Sequence, residues 1–136
     1  MVNQKEIILP EFGRGFHLIT NIIMKSLPEL PSTGLLNIFI QHTSVALAIN
    51  ENADPSVRLD FNSFMNRLVP DGDKLFTHTL EGNDDMPAHI KSSVFGQSIN
   101  IPITRHSLNL GTWQGIYLCE FRNYGGARNI VLTIIE

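Results

Sequence analysis

Residues 35–42 read LLNIFIQH, and this alternation constrains the fold more than any other stretch. Successive side chains of an extended strand point to opposite faces. Leu36, Ile38, Ile40 and His42 therefore share one face, and Leu35, Asn37, Phe39 and Gln41 share the other. β-Branched and aromatic residues of this kind suit a pleated, half-buried surface. The same character returns in VALAIN (45–50), SINIPIT (98–104), RHSLNL (105–110), GIYLCEF (115–121) and RNIVLTIIE (128–136). KEIILPEFGRGFHLIT (5–20) reads as two short strands around a Gly13-Arg14-Gly15 turn. The first two central runs predict strands paired with each other around Thr43-Ser44.

Helical signals are fewer. Thr20 is expected to cap a short helix through Ile22, Ile23 and Ser26, ending before Pro28. In residues 54–70, Asp54 can accept free amide hydrogens and Pro55 suits the first helical position. Val57, Phe61, Phe64, Met65 and Leu68 fall on one predicted apolar stripe. A shorter helix follows Asp84 or Asp85 and stops at Gly96. Strands and helices come in blocks rather than strict alternation. The expectation is an α+β fold, one domain over residues 1–136. It is a largely antiparallel sheet or sandwich with two or three helices.

Composition removes several functional classes. The formal charge is −3, so no global basic field attracts nucleic acid. No apolar run is long enough for a membrane span or a signal-peptide core, so neither a membrane nor a nucleic-acid partner is expected, and the expected location is cytoplasmic. Cys119 is the only cysteine, which excludes an intramolecular disulfide and a cysteine-rich zinc site.

Chemistry concentrates in three places. The first is His42-Thr43-Ser44 with Glu51 and Asn52. The second is HTLEGNDDMPAH, carrying His78, Glu81, Asn83, Asp84, Asp85 and His89. The third is GTWQG, with Glu120 and Arg128 beyond it. Histidines with a nearby carboxylate form many metal sites, and a histidine near a helix start is kept neutral, as a ligand must be. Simpler readings stand beside these. His42 suits a hydrogen-bonded strand end, Asp54 and Asp84 or Asp85 suit helix caps, and Trp113 suits a core or an interface. Glu120 and Arg128 suit an ion pair, while His17 and His106 carry no supporting context.

FIQHTSVALAINENADPSVRLD, HTLEGNDDMPAHIKSSVFGQSINIPI and LNLGTWQGIYLCEFRNYGGARNIVLTI together resemble the YjbQ-like family, also called the secondary thiamine-phosphate synthase family. The likeness runs from about Leu35 to the end; TRHSLNLGTWQ departs from it mildly. It implies small α+β subunits assembled as homotrimers, with a polar pocket near the subunit boundary. It also implies thiamine phosphate synthase activity, joining a pyrimidine pyrophosphate to a thiazole phosphate. The family's polar positions fall on His42, Thr43, Ser44, Glu51, Asn52, Asp60, His78, Glu81, Gly82, Asn83, His89, Trp113, Gln114, Glu120 and Arg128.

From these residues follow the expected roles. His42, His78 and His89 converge as ligands of a divalent metal, zinc or magnesium, and Glu81, Asp84 or Asp85 could help hold magnesium. His42, His89 and Glu81 are the expected catalytic groups, with Glu81 as base or ligand. Thr43, Ser44, Asn83, Gln114 and Arg128 are expected to bind a small phosphorylated molecule. Histidine ligation suits zinc better than magnesium. This keeps a metal-assisted hydrolase, or a non-catalytic trimeric module that binds a metal or a phosphorylated ligand, beside the synthase.

Overall fold

The structure is a computed structural model that describes residues 1–136. Eight strands and three helices form two antiparallel sheets curled into a half-barrel, giving an α+β fold. The first sheet holds β1 (Val2–Leu9), β3 (Thr33–Ile40), β5 (Ser98–Thr104), β6 (Ser107–Leu108) and β8 (Arg128–Ile135), in the order β1-β8-β3-β5-β6. The second holds β2 (Gly15–Leu18), β4 (Val45–Glu51) and β7 (Gln114–Glu120), in the order β2-β7-β4. The helices are α1 (Thr20–Ser26), α2 (Pro55–Leu68) and α3 (Asp85–Phe95).

The alternation in β3 places Leu36, Ile38 and Ile40 fully inside, while Leu35 and Phe39 stay exposed. These inward residues meet Ile130, Leu132 and Ile134 of β8, Ile101 and Ile103 of β5, and Val45, Leu47, Ile116 and Leu118 of the second sheet. A second cluster lies on the far face of the three-stranded sheet, where Phe16, Ala46, Tyr117 and Cys119 pack against Met65 of α2 and Ala88 of α3. The second sheet is thus covered on both faces. This explains why VALAIN and YLC run apolar without alternation, as strands buried on both sides do. The layers are sheet, sheet, then helices, with α3 lying across β4. Ser92 Oγ donates to the Val45 carbonyl at 2.7 Å.

Three local expectations change. Strands β3 and β4 do not pair: β3 lies between β5 and β8, and β4 lies at the edge beside β7. The Thr43-Ser44 bend carries the chain from one sheet to the other. Similarly, β1 and β2 belong to different sheets. Thr20 does not cap α1; its Oγ1 accepts the Ile116 amide at 2.9 Å and ties the helix to β7. The α2 stripe is real only in part. Asp54 accepts from the Ser56 amide and Pro55 opens the helix as expected, and Met65 is buried with Phe61 packed beside it. Phe64 and Leu68, however, are 64% and 60% exposed.

Lys91 is a wholly buried charge that the sequence did not flag. Its Nζ donates to Asn66 Oδ1 on α2 at 2.8 Å and sits 5.7 Å from the centre of the Phe121 ring. Arg14 donates to the same Asn66 oxygen. Burial first, then the nearby Arg14 guanidinium, lowers the Lys91 ammonium to about 8.

Two predictions follow from the packing. Ile38→Ala should cost about 2–5 kcal/mol, whereas Leu80→Ala, at a fully exposed position, should stay within about 0.5 kcal/mol, both read by urea denaturation. Equal costs for the two would contradict the observed layers. Between about pH 8 and 9 the native chain releases the Lys91 proton while the unfolded chain keeps it, so stability rises with pH in that window. Above it, the buried Cys119 thiol, raised by burial, acts in the opposite direction. Lys91→Met should abolish the rise when urea curves at pH 7, 8 and 9 are compared. Persistence of the rise in the variant would exclude Lys91 as its source.

Candidate functional site

The α3 helix begins where the loop after α2 returns to the sheets. Gly82, at φ 112°, allows the turn into it, and a Cβ there would crowd Asp84 Oδ1 at 3.0 Å. Asp84 occupies the cap position but makes no capping bond. Its Oδ2 instead accepts from Arg122 Nε and the Asn123 amide, both at 3.0 Å. Asp85 does not act as a cap either. It is 1% exposed, and each oxygen serves a different neighbour. Oδ1 accepts from Arg122 Nη1 at 2.6 Å. Oδ2 lies 2.7 Å from His78 Nε2 and 3.0 Å from His89 Nε2.

Asp85 and His89 stand four residues apart on α3, which puts them on one helix face. His78 comes from the loop, and its ring centre lies 5.5 Å from that of His89. His78, Asp85 and His89 each offer a ligand atom, all within 4.8 Å of one another. The third member of the cluster is therefore Asp85 and not His42. His42 Nε2 accepts the Asn129 amide at 2.7 Å instead, which ties the end of β3 to β8.

The second ring nitrogen of His89 fixes its proton. Nδ1 lies 2.9 Å from the Thr43 carbonyl, which can only accept, so Nδ1 carries hydrogen. In the neutral ring Nε2 then presents a lone pair to Asp85 Oδ2. Two lone pairs at 3.0 Å repel unless a proton or a cation lies between them. The donor set, two imidazole nitrogens and one carboxylate oxygen, suits zinc and other first-row transition metals better than magnesium. Ligand edges in a tetrahedral shell with bonds of 2.0–2.1 Å are about 3.3 Å. The two edges at Asp85 Oδ2 meet that by opening a few tenths of an ångström, and the edge between the two imidazole nitrogens lies within 4.8 Å. Burial pushes the Asp85 carboxyl up, but His78, His89 and Arg122 outweigh it and hold the group below its ordinary range.

A cleft of about 540 Å³ borders His89 and is lined also by Gln41, His42, Thr43, Ser93 and Gln97. A smaller cavity of about 150 Å³ lies on the His78 side, with Lys74, Thr79 and Asn83 on its wall. The other expected residues are placed as follows. Ser44 is buried behind the bend. The Glu81 carbonyl accepts from Arg122 Nη2 at 3.1 Å, and its exposed carboxylate bonds to no group of the chain. Arg128 is committed to Glu120 through Nε, at 2.8 Å, and through Nη2; both residues are buried. That pair joins β7 of one sheet to β8 of the other, as its sequence reading anticipated. A guanidinium so engaged has little left for a phosphate. Gln114 opens β7 at the end opposite Glu120, about 20 Å away. Its Oε1 accepts the Gly111 amide. With Asn52 it borders a different cavity. Trp113 is exposed, and its carbonyl accepts the Asn52 amide.

Sequence reasoning missed Arg122 as the residue that organises Glu81, Asp84 and Asp85. It read Asp85 as a helix cap or as one of three carboxylates that could help hold magnesium, and did not join it to the histidines. The signal for Asp85 was present: a carboxylate and a histidine at i and i+4 at the start of a predicted helix. No local signal marked Arg122, whose partners lie 37 to 41 residues earlier.

Comparison with known proteins agrees with the fold and gives the family. The family described as UPF0047 protein YjbQ-like matches residues 5–136. UPF0047 protein YjbQ of Escherichia coli O157:H7 is 47% identical over 133 residues, 96% of each chain. That of Salmonella typhimurium is 50% identical over the same share. A crystal structure of an uncharacterized conserved protein of the YjbQ/UPF0047 family from Clostridium acetobutylicum superposes with a TM-score of 0.82 at 37% identity, covering 96% of this chain and 99% of that one. On this evidence the chain belongs to the YjbQ/UPF0047 family.

Proposed function

We propose that this chain is a metal-dependent enzyme acting on a small phosphorylated molecule, with His78, Asp85 and His89 holding a divalent transition metal, zinc in preference to magnesium. One observation carries the reading: the Thr43 carbonyl keeps a hydrogen on His89 Nδ1, so in the neutral ring Nε2 faces Asp85 Oδ2 at 3.0 Å with a lone pair. The supporting shell fits, since metal-bound histidines commonly donate their other nitrogen to a carbonyl and metal-bound carboxylates are themselves hydrogen-bonded. Thr43 fills the first role and Arg122 the second.

A divalent ion at this position would polarise a phosphoryl oxygen or lower the pKa of a bound water. The chain's own groups do the rest. Thr43 and Ser93 offer hydroxyls to an anion in the cleft. The free carboxylate of Glu81 is the candidate base. The specific reaction suggested by the family resemblance is thiamine phosphate synthesis. An open polar cleft beside a cation site is compatible with departure of a pyrophosphate. In the same reading the protein works in the cytoplasm as a homotrimer. Leu59, Phe64 and Leu68, exposed on α2, are apolar area for a neighbouring copy to cover.

Elemental analysis of untagged protein tests the site. One zinc per chain is expected, with a loss of at least about tenfold in affinity for His78→Ala. That side chain is 46% exposed, so the metal-free variant should keep its stability within about 1 kcal/mol. Equal zinc content in variant and parent would remove His78 from the site. Turnover of a pyrimidine pyrophosphate with a thiazole phosphate, assayed with and without chelator, then tests the reaction.

Acid should empty the site before it unfolds the chain. Protons compete with metal for imidazole nitrogen. Asp85 stays ionised further down, because its pKa is depressed below 3.8. Its contribution to native stability is present at neutral pH and is lost only as pH falls through that lowered value. Zinc occupancy should therefore fall below neutrality, well ahead of the acid unfolding seen by circular dichroism. Coincident loss would indicate that the metal leaves only because the fold does.

A further inference from the structure

We infer that His42 serves the cleft as a neutral hydrogen-bond donor, offering Nδ1–H to an oxygen of the bound anion, and that it neither holds the metal nor acts as a base. This rests on the reading of the cleft as an anion site beside the His78–Asp85–His89 centre. The bond from the Asn129 amide to His42 Nε2, 2.7 Å long, has a fixed direction. A backbone amide only donates, so Nε2 presents its lone pair and the hydrogen of the neutral ring sits on Nδ1.

Nδ1 has no partner within the chain and is not a sealed, orphaned atom. The ring borders the cleft together with Thr43 and His89. Other groups on that wall are already engaged. His89 Nδ1 serves the Thr43 carbonyl, and the Gln97 amide donates to Ser92 Oγ and to its carbonyl. What remains for a ligand is His42 Nδ1–H with the Gln41 side-chain amide and the Thr43 and Ser93 hydroxyls, a set of donors that suits phosphoryl oxygens.

The neutral form is also favoured by what lies behind the ring. Burial first, then the Arg128 guanidinium, lowers the pKa of His42, with Glu120 opposing them. The buried Glu120–Arg128 pair thus stands next to the residue that faces the ligand. Unlike His89, His42 has Nε2 blocked by an amide hydrogen and is closed to a metal at that atom.

Glutamine separates the two jobs of this ring. In His42→Gln the side-chain oxygen can take the place of Nε2 and accept the Asn129 amide, but nothing replaces Nδ1–H. Calorimetric titration with inorganic pyrophosphate on zinc-loaded protein should show about tenfold weaker binding for His42→Gln, with zinc content and melting temperature unchanged. Nitrogen-15 spectra of histidine-labelled parent protein should show hydrogen on Nδ1 of His42 and a shift of that resonance on adding pyrophosphate. The Nε2–H tautomer, unaltered affinity in the glutamine variant, or no pyrophosphate binding by the parent would each overturn the inference. Should the variant fail to fold, the parent's tautomer and its response to pyrophosphate decide alone. Absence of zinc from a parent that still binds pyrophosphate through His42 would overturn the metal reading and leave the donor role standing.

Discussion

The Asp85 carboxylate is the constraint on which the arrangement of this end of the molecule depends. It is almost fully buried, and a buried charge is tolerated only where partners surround it. Arg122 supplies one side and the two imidazoles the other. Through Arg122 the same anchor holds Asp84 and the Glu81 carbonyl, so the loop before α3 is set by one guanidinium. Remove the carboxylate and Arg122 loses its most buried partner, while the two histidines lose the group that brings them together. A site that gathers this much charge at a helix start is costly to build for stability alone, because buried ion pairs often do no better than apolar replacements.

The rest of the fold brings the partners to that point. The crossing at Thr43-Ser44 moves the chain between sheets and leaves the Thr43 carbonyl facing α3. The helix is held there by Ser92 on the Val45 carbonyl and by Ala88 in the second core cluster. On the other side of the crossing, His42 bonds to Asn129, next to Arg128, whose pairing with Glu120 joins the sheets. Glycine at 125 is required by close approach: a Cβ there would run into both members of that pair. The cleft therefore sits where the two sheets and α3 meet, with each wall fixed by a bond to a different strand.

Much of the fold was legible because its signals are local. The inward row of β3, the Asp54 cap with Pro55, the extent of α3 and the Glu120–Arg128 pair could all be read from spacing. Strand pairing could not. Alternation tells which face of β3 is buried but says nothing about its neighbour, and a two-residue bend suits a hairpin as well as a crossing between sheets. Phe64 and Leu68 fit an apolar stripe, yet α2 buries only part of that stripe within the chain. At the site, His78 and His89 were found by type and loop position. Asp85 was one of three carboxylates considered for a metal, and spacing could not single it out from Glu81 and Asp84 because capping also accounted for an aspartate there. The ligand role assigned to His42 was lost to a backbone amide at Asn129, 87 residues away, which no local pattern encodes.

The central claim is that His78, Asp85 and His89 bind a metal together. X-ray absorption at the zinc edge, on protein given less than one equivalent of zinc at neutral pH, tests it most directly. The account predicts a first shell containing two imidazole nitrogens and at least one carboxylate oxygen, with the nitrogen signal halved in His78→Ala. A shell without imidazole, or zinc left free in solution at that ratio, would contradict it.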